Sequence, residues 1–459
     1  MPFNSFENYP MSWKPKLDKS EECLYQALAG QLESDIAAGV LKPGTKLPPQ
    51  RELADYLDIN LSTVAKALKV CQQKGLLTAT VGSGTYVAYN TLTSARLLAE
   101  NKGSDIVDMG ATIPDASGND ILTEMLRKMA GESQAEKLFC YHQPSENLWQ
   151  KEAAVSLMRH CGHHTEQDRI LFANGGQNAL TGVLAALFKR GQRIAVDAHT
   201  YPGIKTAAAM LGILLEPVSQ DGYGTDPCAL ELICKHKEIA GIYVIPACHN
   251  PTTITMPQER RREIAWLANK YGCILIEDGT YQPLSCGATS VSDFAPSRSI
   301  YIVSLSKFIA PGLRMAFLSV PAQYTSAVAD ALYSLNVAVV PMMAELSARI
   351  IASGQHEAIL ETHRRHTGER NALVDRWLPK EFCHGGHADI FRWLMLPEKF
   401  TGAAFERLAL SHGVRVYAAE KFAVGKTQPA HAVRLSICAP QHLEELERGI
   451  YILAKLVGR

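Results

Sequence analysis

Apolar residues recur at helical spacing within the first ninety positions. Leu24, Leu28, Leu32 and Ile36 predict a helix that ends at Gly39. A turn-rich connector follows, then a short helix over 50–57, a tight link and a third helix from the N-cap Asn60 to about Gly75. Residues 76–80 and 85–87 predict a hairpin with a small, backbone-rich tip. The pattern therefore predicts three helices followed by a two-stranded wing.

The third predicted helix has two different faces. One face is apolar, and the opposite face carries Ser62, Lys66, Lys69 and Gln73. From Ile59 to Leu98 there is no acidic residue, so the local field is positive. The helix-turn-helix plan places its last helix in the DNA major groove. The alternative is that these lysines are only the solvated face of an amphipathic helix.

Further along the chain, short apolar runs alternate with helical stretches. The runs are 170–172, 193–196, 241–245, 273–276, 301–303 and 315–318. Such alternation predicts an α/β domain with a mostly parallel sheet covered on both faces. Ligands of such sheets bind beyond the ends of the strands. Residues 89–105, which are polar and without strong periodicity, are the predicted linker.

Composition narrows the class of protein. The 459 residues are 47% hydrophobic, and 46 basic residues balance 46 acidic ones, so no global field points to nucleic acid or membrane. The eleven cysteines are scattered and never spaced Cys-x-x-Cys. With no visible signal peptide or membrane span, they indicate a reducing cytoplasm.

Lys307 is the centre of the candidate chemistry. A lysine amine forms a Schiff base with an aldehyde, and pyridoxal phosphate is the aldehyde cofactor most often held in this way. Ser304, Ser306 and Arg314 offer the hydroxyls and the guanidinium that a phosphate monoester requires. The alternative is a strand that runs into a loop with an ordinary surface lysine.

Other predicted strand ends carry possible partners for Lys307. The loop 174–178 offers backbone N–H groups and a helix N-terminus to a phosphate, although its glycine pair is also consistent with a plain turn. Tyr201 is placed either to stack on a planar ring or simply to pack. Asn250 is placed to donate to a phenolic oxygen. Asp278, with Tyr281 beside it, is placed either to pair with a pyridine nitrogen or to cap a helix.

Three motifs in the first ninety residues carry a family resemblance. The stretches 41–54, 60–64 and 82–87 resemble the winged helix-turn-helix of GntR-type bacterial repressors, and the match covers about residues 17–88. The resemblance implies DNA contacts by Arg51, Ser62, Thr63, Lys66, Gly84 and Thr85. Leu61 departs from the pattern, because many relatives carry arginine there.

The remainder, about residues 106–459, resembles fold-type I aminotransferases. The motifs are Asn250-Pro, Asp278-x-x-Tyr281, Ser304-x-Ser306-Lys307 and Pro-Gly-Leu-Arg314. The resemblance implies a smaller C-terminal α+β subdomain and assigns pyridoxal phosphate to Lys307, Asp278, Asn250, Tyr281, Tyr201, Gly176, Gln177, Ser304, Ser306 and Arg314. Arg434 would grip a substrate carboxylate. Tyr141 would reach the phosphate of a neighbouring subunit, although residues 143–147 lack the usual glycine-containing loop.

Together, the two resemblances point to the MocR plan: a DNA-binding domain over 1–88, the linker, and an aminotransferase-like domain over 106–459. They imply a homodimeric transcriptional regulator that binds operator DNA and senses an amine or amino acid through the aldimine, with at most residual transamination. Two alternatives remain, an active aminotransferase with an accessory DNA-binding domain and a repressor with a vestigial pocket.

Several histidines raise the question of a metal site. The segment with Cys383, His384, His387 and Asp389 is consistent with a metal site or with a structural turn. The structural turn is favoured, so no metal is expected. His163, His164, His363 and His366 are expected to be surface residues rather than ligands.

Overall fold

The computed structural model describes residues 11–17, 23–80, 84–88, 106–141, 148–285 and 288–458. The predicted linker and the hairpin tip at 81–83 lie outside these residues. The first unit has the predicted order of elements. These are α1 (Leu24–Ala37), α2 (Gln50–Leu57), α3 (Leu61–Gln73), β1 (Leu77–Thr80) and β2 (Gly84–Val87), with β1 and β2 antiparallel.

The core of this unit is the set of apolar residues that the helical pattern predicts. Leu28 and Leu53 are fully buried, and α3 buries Val64, Leu68 and Cys71. Asn60 holds the predicted N-cap position of α3, although its side chain accepts no capping hydrogen bond. Trp13 adds to this core from a segment for which the sequence suggested no role. Its indole donates to Asp35 over 2.7 Å.

A seven-stranded sheet forms the centre of the second unit. Its order is β4 (Ile170–Ala173), β12 (Ala316–Ser319), β11 (Ser299–Ser304), β10 (Ile274–Asp278), β9 (Ile239–Val244), β5 (Arg193–Asp197) and β6 (Leu214–Val218). β12 is antiparallel to both neighbours and the other pairs are parallel, which confirms the mostly parallel sheet. β6 is a strand that the sequence pattern did not show.

Both faces of this sheet are buried. Along β5, Ile194 and Val196 belong to one hydrophobic cluster and Ala195 to another, as expected for a strand covered on both sides. The helices outside the C-terminal part are α4 (Asn119–Ala130), α5 (Leu148–His160), α6 (Gly176–Leu187), α7 (Pro202–Leu211), α8 (Pro227–His236), α9 (Gln258–Tyr271), α10 (Ala322–Asn336) and α11 (Pro341–Ala352). A small ribbon joins β7 (Gln220–Asp221) to β8 (Gly224–Thr225).

The C-terminal part is a smaller α+β region, as predicted. It contains a four-stranded antiparallel sheet in the order β13 (Cys383–His384), β14 (Phe391–Met395), β17 (Ala432–Ser436) and β16 (Tyr417–Ala418). β3 (Val107–Asp108) pairs in parallel with β15 (Val414–Arg415). The helices are α12 (Gln355–Trp377), α13 (Gly402–Ser411) and α14 (Leu443–Val457). No helix in the described part of the chain is both long and apolar enough to cross a membrane.

Two histidines expected at the surface are buried instead. His163 is 3% exposed and His363 is 2% exposed. His163 stacks on Tyr301 with ring centroids 4.3 Å apart, and its Nδ1 lies 2.7 Å from a carboxylate oxygen of Asp293. Burial lowers the pKa of His363. Both residues therefore lie in the interior of the fold, where Asp293 contacts Nδ1 of His163 but Nε2 of each histidine has no hydrogen-bond partner among the described residues.

Candidate functional site

One cavity of about 570 Å³ lies at the carboxyl ends of β10 and β11. Its size is typical of small-molecule sites. Its lining includes every residue predicted to hold the cofactor or the effector, except Tyr141. The lining residues are Thr112, Ile113, Gly176, Gln177, Tyr201, Ile245, Asn250, Asp278, Thr280, Tyr281, Ser304, Ser306, Lys307, Pro311, Arg314 and Arg434.

Lys307 projects into this cavity from a short 3-10 turn directly after β11. Its amine donates a hydrogen bond to the backbone carbonyl of Thr112. Burial, with the positive charges of Arg434 and Arg314, lowers the pKa of Lys307 to about 8, and Asp278 opposes that shift. A larger fraction of this amine is therefore neutral near pH 7 than of a lysine in water, which favours nucleophilic attack.

The end of the cavity near α6 is suited to an anion. Gly175 has φ 91° and precedes the first residue of α6, so the backbone turns there in a way that favours glycine. A Cβ on Gly175 would lie 2.4 Å from Nη2 of Arg314. Nη1 of Arg314 donates to Oγ of Ser306 over 3.2 Å, and Ser304 donates to the same oxygen over 3.1 Å. A helix N-terminus, a guanidinium and two hydroxyls therefore converge.

Asp278 is held in place by groups that the sequence did not single out. The phenol of Tyr243 donates to one carboxylate oxygen over 2.9 Å, and the backbone N–H of Thr280 donates to the other over 3.1 Å. Tyr243 lies within an apolar strand run and is fully buried on β9, beside β10. Only the order of strands brings it to Asp278, and no sequence signal contains that order.

Tyr201, which is partly buried, and Tyr281, which is buried, lie on the cavity wall. Burial, reinforced by the charge of Asp278, raises the pKa of Tyr201 to about 12, so its phenol stays protonated near pH 7. Burial also raises the pKa of Tyr281, whose ring packs edge-on against Phe391 with centroids 5.5 Å apart. Gln177 donates from its amide to the carbonyl of Gly203, which ties α6 to the start of α7.

Arg434 is fully buried at the wall formed by β17. Nη1 donates to Oδ1 of Asn250 over 2.8 Å and Nη2 to the carbonyl of Gly110 over 2.7 Å. The guanidinium carbon lies 4.9 Å from the ring centroid of Phe422. Burial lowers the pKa of Arg434. Its Nε has no hydrogen-bond partner within the described part of the chain, so the group keeps binding capacity for an anion.

Tyr141 is the one predicted cofactor residue that lies elsewhere. It is 83% exposed and does not line the cavity. The adjoining residues 143–147, which lack the glycine-containing loop of the family, lie outside the described residues. A contact of Tyr141 with a second subunit stays a prediction.

The predicted DNA contacts lie on the winged-helix unit and are solvent-accessible. Arg51, Ser62 and Lys66 are exposed, and Thr63 is partly buried; these four residues are called the DNA face. Gly84 and Thr85 begin β2, which is one strand of the wing. The ammonium of Lys66 lies 3.9 Å from the ring centroid of Tyr25 on α1. A cation–π contact therefore restrains a lysine that sequence alone presents as freely solvated.

The cavity fits pyridoxal phosphate in each of its chemical parts. An amine for the aldehyde, a carboxylate for the ring nitrogen and an anion site for the phosphate lie in one lining.

No group of three or more His, Cys, Asp or Glu among the described residues is arranged to hold a metal ion. Asp389 instead accepts a hydrogen bond from the backbone N–H of Gly386 in a local turn.

The family comparisons agree with both resemblances. Residues 104–451 match the family "Aminotransferase class I and II", and residues 24–87 match "Bacterial regulatory proteins, gntR family". The chain is 52% identical over 458 residues to the "Uncharacterized HTH-type transcriptional regulator YdeF" of Bacillus subtilis (strain 168), covering 100% of this chain and 99% of the relative. It is 26% identical to the "Uncharacterized HTH-type transcriptional regulator YjiR" of Escherichia coli (strain K12), and the match covers 93% of this chain and 98% of YjiR.

Solved aminotransferases share the fold of the larger unit. An archaeal alanine:glyoxylate aminotransferase superposes with a TM-score of 0.70 at 22% identity, covering 78% of this chain and 92% of that one. The α-aminoadipate aminotransferase LysN of Thermus thermophilus, complexed with N-(5'-phosphopyridoxyl)-L-leucine, superposes with a TM-score of 0.69 at 22% identity. That alignment covers 77% of this chain and 92% of LysN.

Proposed function

The chain belongs to the class I and II aminotransferase family and carries an N-terminal gntR-type domain, and from this we propose that it is a pyridoxal phosphate-dependent transcriptional regulator. In this proposal the cavity senses an amine or an amino acid, and the winged-helix unit binds operator DNA. The observation that carries the proposal is the presence, in one chain, of an exposed basic helix and of a cavity with a complete set of cofactor-binding groups. A metabolic enzyme has no use for a DNA-binding helix, and a simple repressor has no use for a cofactor-binding cavity.

Each group in the cavity has a definite part in holding the cofactor. When bound, pyridoxal phosphate supplies an aldehyde that reacts with amines. Lys307 attaches to that aldehyde, and Asp278 keeps a proton on the ring nitrogen. Tyr201 packs along the ring, while Asn250 and Tyr281 bind its 3-oxygen. The phosphate is bound by Gly176, Gln177, Ser304, Ser306 and Arg314.

The effector is recognised by its amine and by a carboxylate. Arg434 binds the carboxylate, since it is the buried cation on β17 and is already held by Asn250 and Gly110. The Lys307 amine, to which the effector amine must come close, donates a hydrogen bond to the carbonyl of Thr112.

The assembly we propose is a homodimer. Five large apolar side chains are exposed in two regions of the described chain; they are Phe139, Tyr141 and Leu148 in one region, and Val337 and Val340 in the other. A second copy that covers them would bring Tyr141 to the neighbouring cavity and present two winged-helix units to paired half-sites in bacterial cytoplasm. Sedimentation of the cofactor-loaded protein should give a dimer, and a monomer that retains the cofactor would contradict this part of the proposal.

The function is tested by selecting a binding site from a random duplex library and measuring its affinity with each of the twenty amino acids. We expect at least one amino acid to change the operator dissociation constant by about fivefold or more, as is typical of coupled sites. Formation of the 2-oxo acid should be slow in the same samples. Turnover at the rates of ordinary enzymes, about 1–10³ s⁻¹, with unchanged DNA affinity would favour the aminotransferase alternative.

A further inference from the structure

Lys205 is a buried lysine that takes no part in the cavity lining. It lies on α7, one helical turn after Tyr201, and is 1% exposed. Its amine donates to the backbone carbonyl of Lys421 over 2.9 Å. A buried amine destabilises the fold unless it is hydrogen-bonded. The bond to the Lys421 carbonyl satisfies the Lys205 amine and also joins α7 to the C-terminal region.

The carbonyl belongs to a segment that is attached to the exit of β5. We call residues 419–424 the docking segment. The N–H of Thr200 donates to the carbonyl of Phe422 over 2.9 Å, and the N–H of Val424 donates to the carbonyl of Ala198 over 3.0 Å. His199 and Ala423 form an antiparallel bridge. Lys205 therefore adds a side-chain bond to a short backbone junction between the large sheet and the C-terminal region.

The docking segment leads directly to Arg434. The ring of Phe422 lies under the Arg434 guanidinium at 4.9 Å, and Trp393 packs edge-on against Phe422 with centroids 6.1 Å apart. Phe422 is fully buried. A shift of the docking segment would therefore move the nearest of the three aromatic rings around the guanidinium; the other two, Phe391 and Tyr417, each lie 5.5 Å away.

We propose that Lys205 is a positioning residue that fixes the docking segment through the Lys421 carbonyl, so that Phe422 holds Arg434 in the orientation for an effector carboxylate. This inference rests on the proposed function, since it assumes that Arg434 receives the carboxylate. Tyr201 holds the N-cap position of α7 and Lys205 lies four residues later within the helix, so α7 joins the cofactor wall to the carboxylate site.

The surroundings of Lys205 make the hydrogen bond depend on pH. Burial lowers the pKa of Lys205 to about 7. Nearby His199 has a pKa lowered to about 4, chiefly by burial and next by His249, and its Nε2 accepts from Ala430. His249 lies 3.1 Å from Asp197. The ammonium of Lys421 itself binds Glu406 at 2.9 Å.

Below pH 7 the Lys205 amine carries its proton, and the bond to the carbonyl is charge-assisted and stronger. Above pH 7 it becomes neutral and the bond weakens. The orientation of Arg434 should therefore be better maintained below pH 7 than above it.

The test uses two small probes that differ only in a carboxylate. Aminooxyacetate and methoxyamine both react with the bound cofactor through an aminooxy nitrogen, which takes the place of the Lys307 nitrogen while the lysine amine leaves. Only aminooxyacetate has a carboxylate for Arg434. The ratio of their reaction rates, followed by the visible absorption of the cofactor in the full-length protein, therefore isolates the carboxylate contact, because effects on Lys307 cancel.

Three variants divide the possible outcomes. Lys205→Met removes the donor and keeps the length of the side chain, Lys205→Gln restores a neutral donor, and Lys235→Met is a matched control at an exposed lysine of α8. We expect Lys205→Met to lower the probe ratio by about threefold to tenfold, since one hydrogen bond is removed at a distance. Lys205→Gln should recover part of the loss, and Lys235→Met should match wild type.

Two further readouts separate positioning from a merely structural role. Amide hydrogen exchange of the docking segment should rise in Lys205→Met while exchange in the large sheet stays unchanged. The probe ratio of wild type should fall as the pH rises through about 7, and Lys205→Met should lack that component. If Lys205→Met does not fold, the probe ratio of Lys205→Gln and the pH dependence of the wild-type probe ratio still test the role of Lys205.

A wild-type probe ratio in Lys205→Met, or unchanged exchange of the docking segment, would overturn the inference. Arg434→Ala serves to distinguish this failure from failure of the proposed function. If Arg434→Ala abolishes the preference for aminooxyacetate while Lys205→Met keeps it, only the role of Lys205 is wrong. If Arg434→Ala keeps the preference as well, Arg434 does not bind the carboxylate, and this part of the proposed function is wrong.

Discussion

The winged-helix unit and the cavity each depend on a lysine, and they use it in opposite ways. Lys66 is exposed on α3, with its ammonium over the ring of Tyr25, a position from which it would attract DNA phosphates in the proposed function. Lys307 is enclosed by the cavity, and its pKa is lowered to about 8. In the proposed function the DNA face would act through a cation that solvent and DNA can reach, whereas the cavity would act through an amine that can lose its charge.

The two regions also differ in how their side chains are held. Within the cavity, Asp278 accepts hydrogen bonds from the distant Tyr243 and from the nearby Thr280. Arg434 donates to Asn250 and Gly110, which are both far away in sequence. The side chains of the DNA face lie on the surface of a small three-helix core. Changes in one region should therefore leave the basal property of the other intact.

The largest effect is expected at Lys307. Lys307→Ala removes the amine that attaches the cofactor, so the visible absorption of the attached cofactor should disappear. Affinity for a selected operator in the absence of effector should match wild type, because the DNA face is untouched. An unchanged visible band in Lys307→Ala would show that another residue attaches the cofactor.

Arg434→Ala should have the next largest effect. A charge-assisted, enclosed pair is worth about 1.5–3 kcal/mol or more, so the affinity for a carboxylate effector should fall by about tenfold to 150-fold or more. The cofactor should remain attached, since its other partners are intact, and operator binding without effector should be unchanged. A wild-type response to the effector in a DNA-binding assay would mean that Arg434 does not receive a carboxylate.

Arg51→Ala and Lys66→Ala should weaken operator binding by about 1–3 kcal/mol each if these side chains contact bases. If they contact only phosphates, the loss should be similar on unrelated DNA, with a smaller dependence on salt. Binding is measured at several salt concentrations, and the visible spectrum of the cofactor is the control. Wild-type operator affinity in both variants would count against α3 as the recognition helix.

The lowered pKa of Lys307 predicts the pH dependence of cofactor attachment. The neutral amine attacks the aldehyde, so the attachment rate to cofactor-free protein should rise with pH and level off above about 8, rather than near the ordinary value of 10.5. Between pH 7 and a pH well above 8 the increase should be about tenfold. Stopped-flow absorbance measures the rate, and a continued rise to pH 10 would contradict the lowered pKa.

The same shift affects stability in a defined direction. Between about pH 8 and 10.5 the unfolded chain binds more protons at Lys307 than the folded cofactor-free chain does. The contribution of Lys307 to the free energy of unfolding therefore rises with pH across this window.

Local patterns in the sequence were enough to predict the elements of the winged-helix unit and six of the seven strands of the large sheet, because helical periodicity and apolar strand runs are local properties. The helices at 24–37, 50–57 and 61–73 follow directly from the spacing of buried leucines. Burial of single polar residues is not local, which is why His163 and His363 were wrongly expected at the surface. Trp13 had no predicted role, since it lies before the stretch that resembles a known family.

The cavity was predictable mainly through family resemblance, because its contacts join distant residues. The Lys307 amine meets a carbonyl 195 positions away, and Arg434 meets one 324 positions away. The order of strands creates these contacts, and no spacing within the chain encodes it. The Lys205–Lys421 bond, across 216 positions, had no sequence signal at all.

The central claim is that occupancy of the cavity and binding of the operator are linked in one molecule. The most direct measurement is the affinity of the cofactor-loaded protein for the active amino acid with and without saturating operator DNA. The account predicts that operator DNA changes this affinity by the same factor, about fivefold or more, by which the amino acid changes operator affinity. Identical amino-acid affinities with and without DNA would contradict the account.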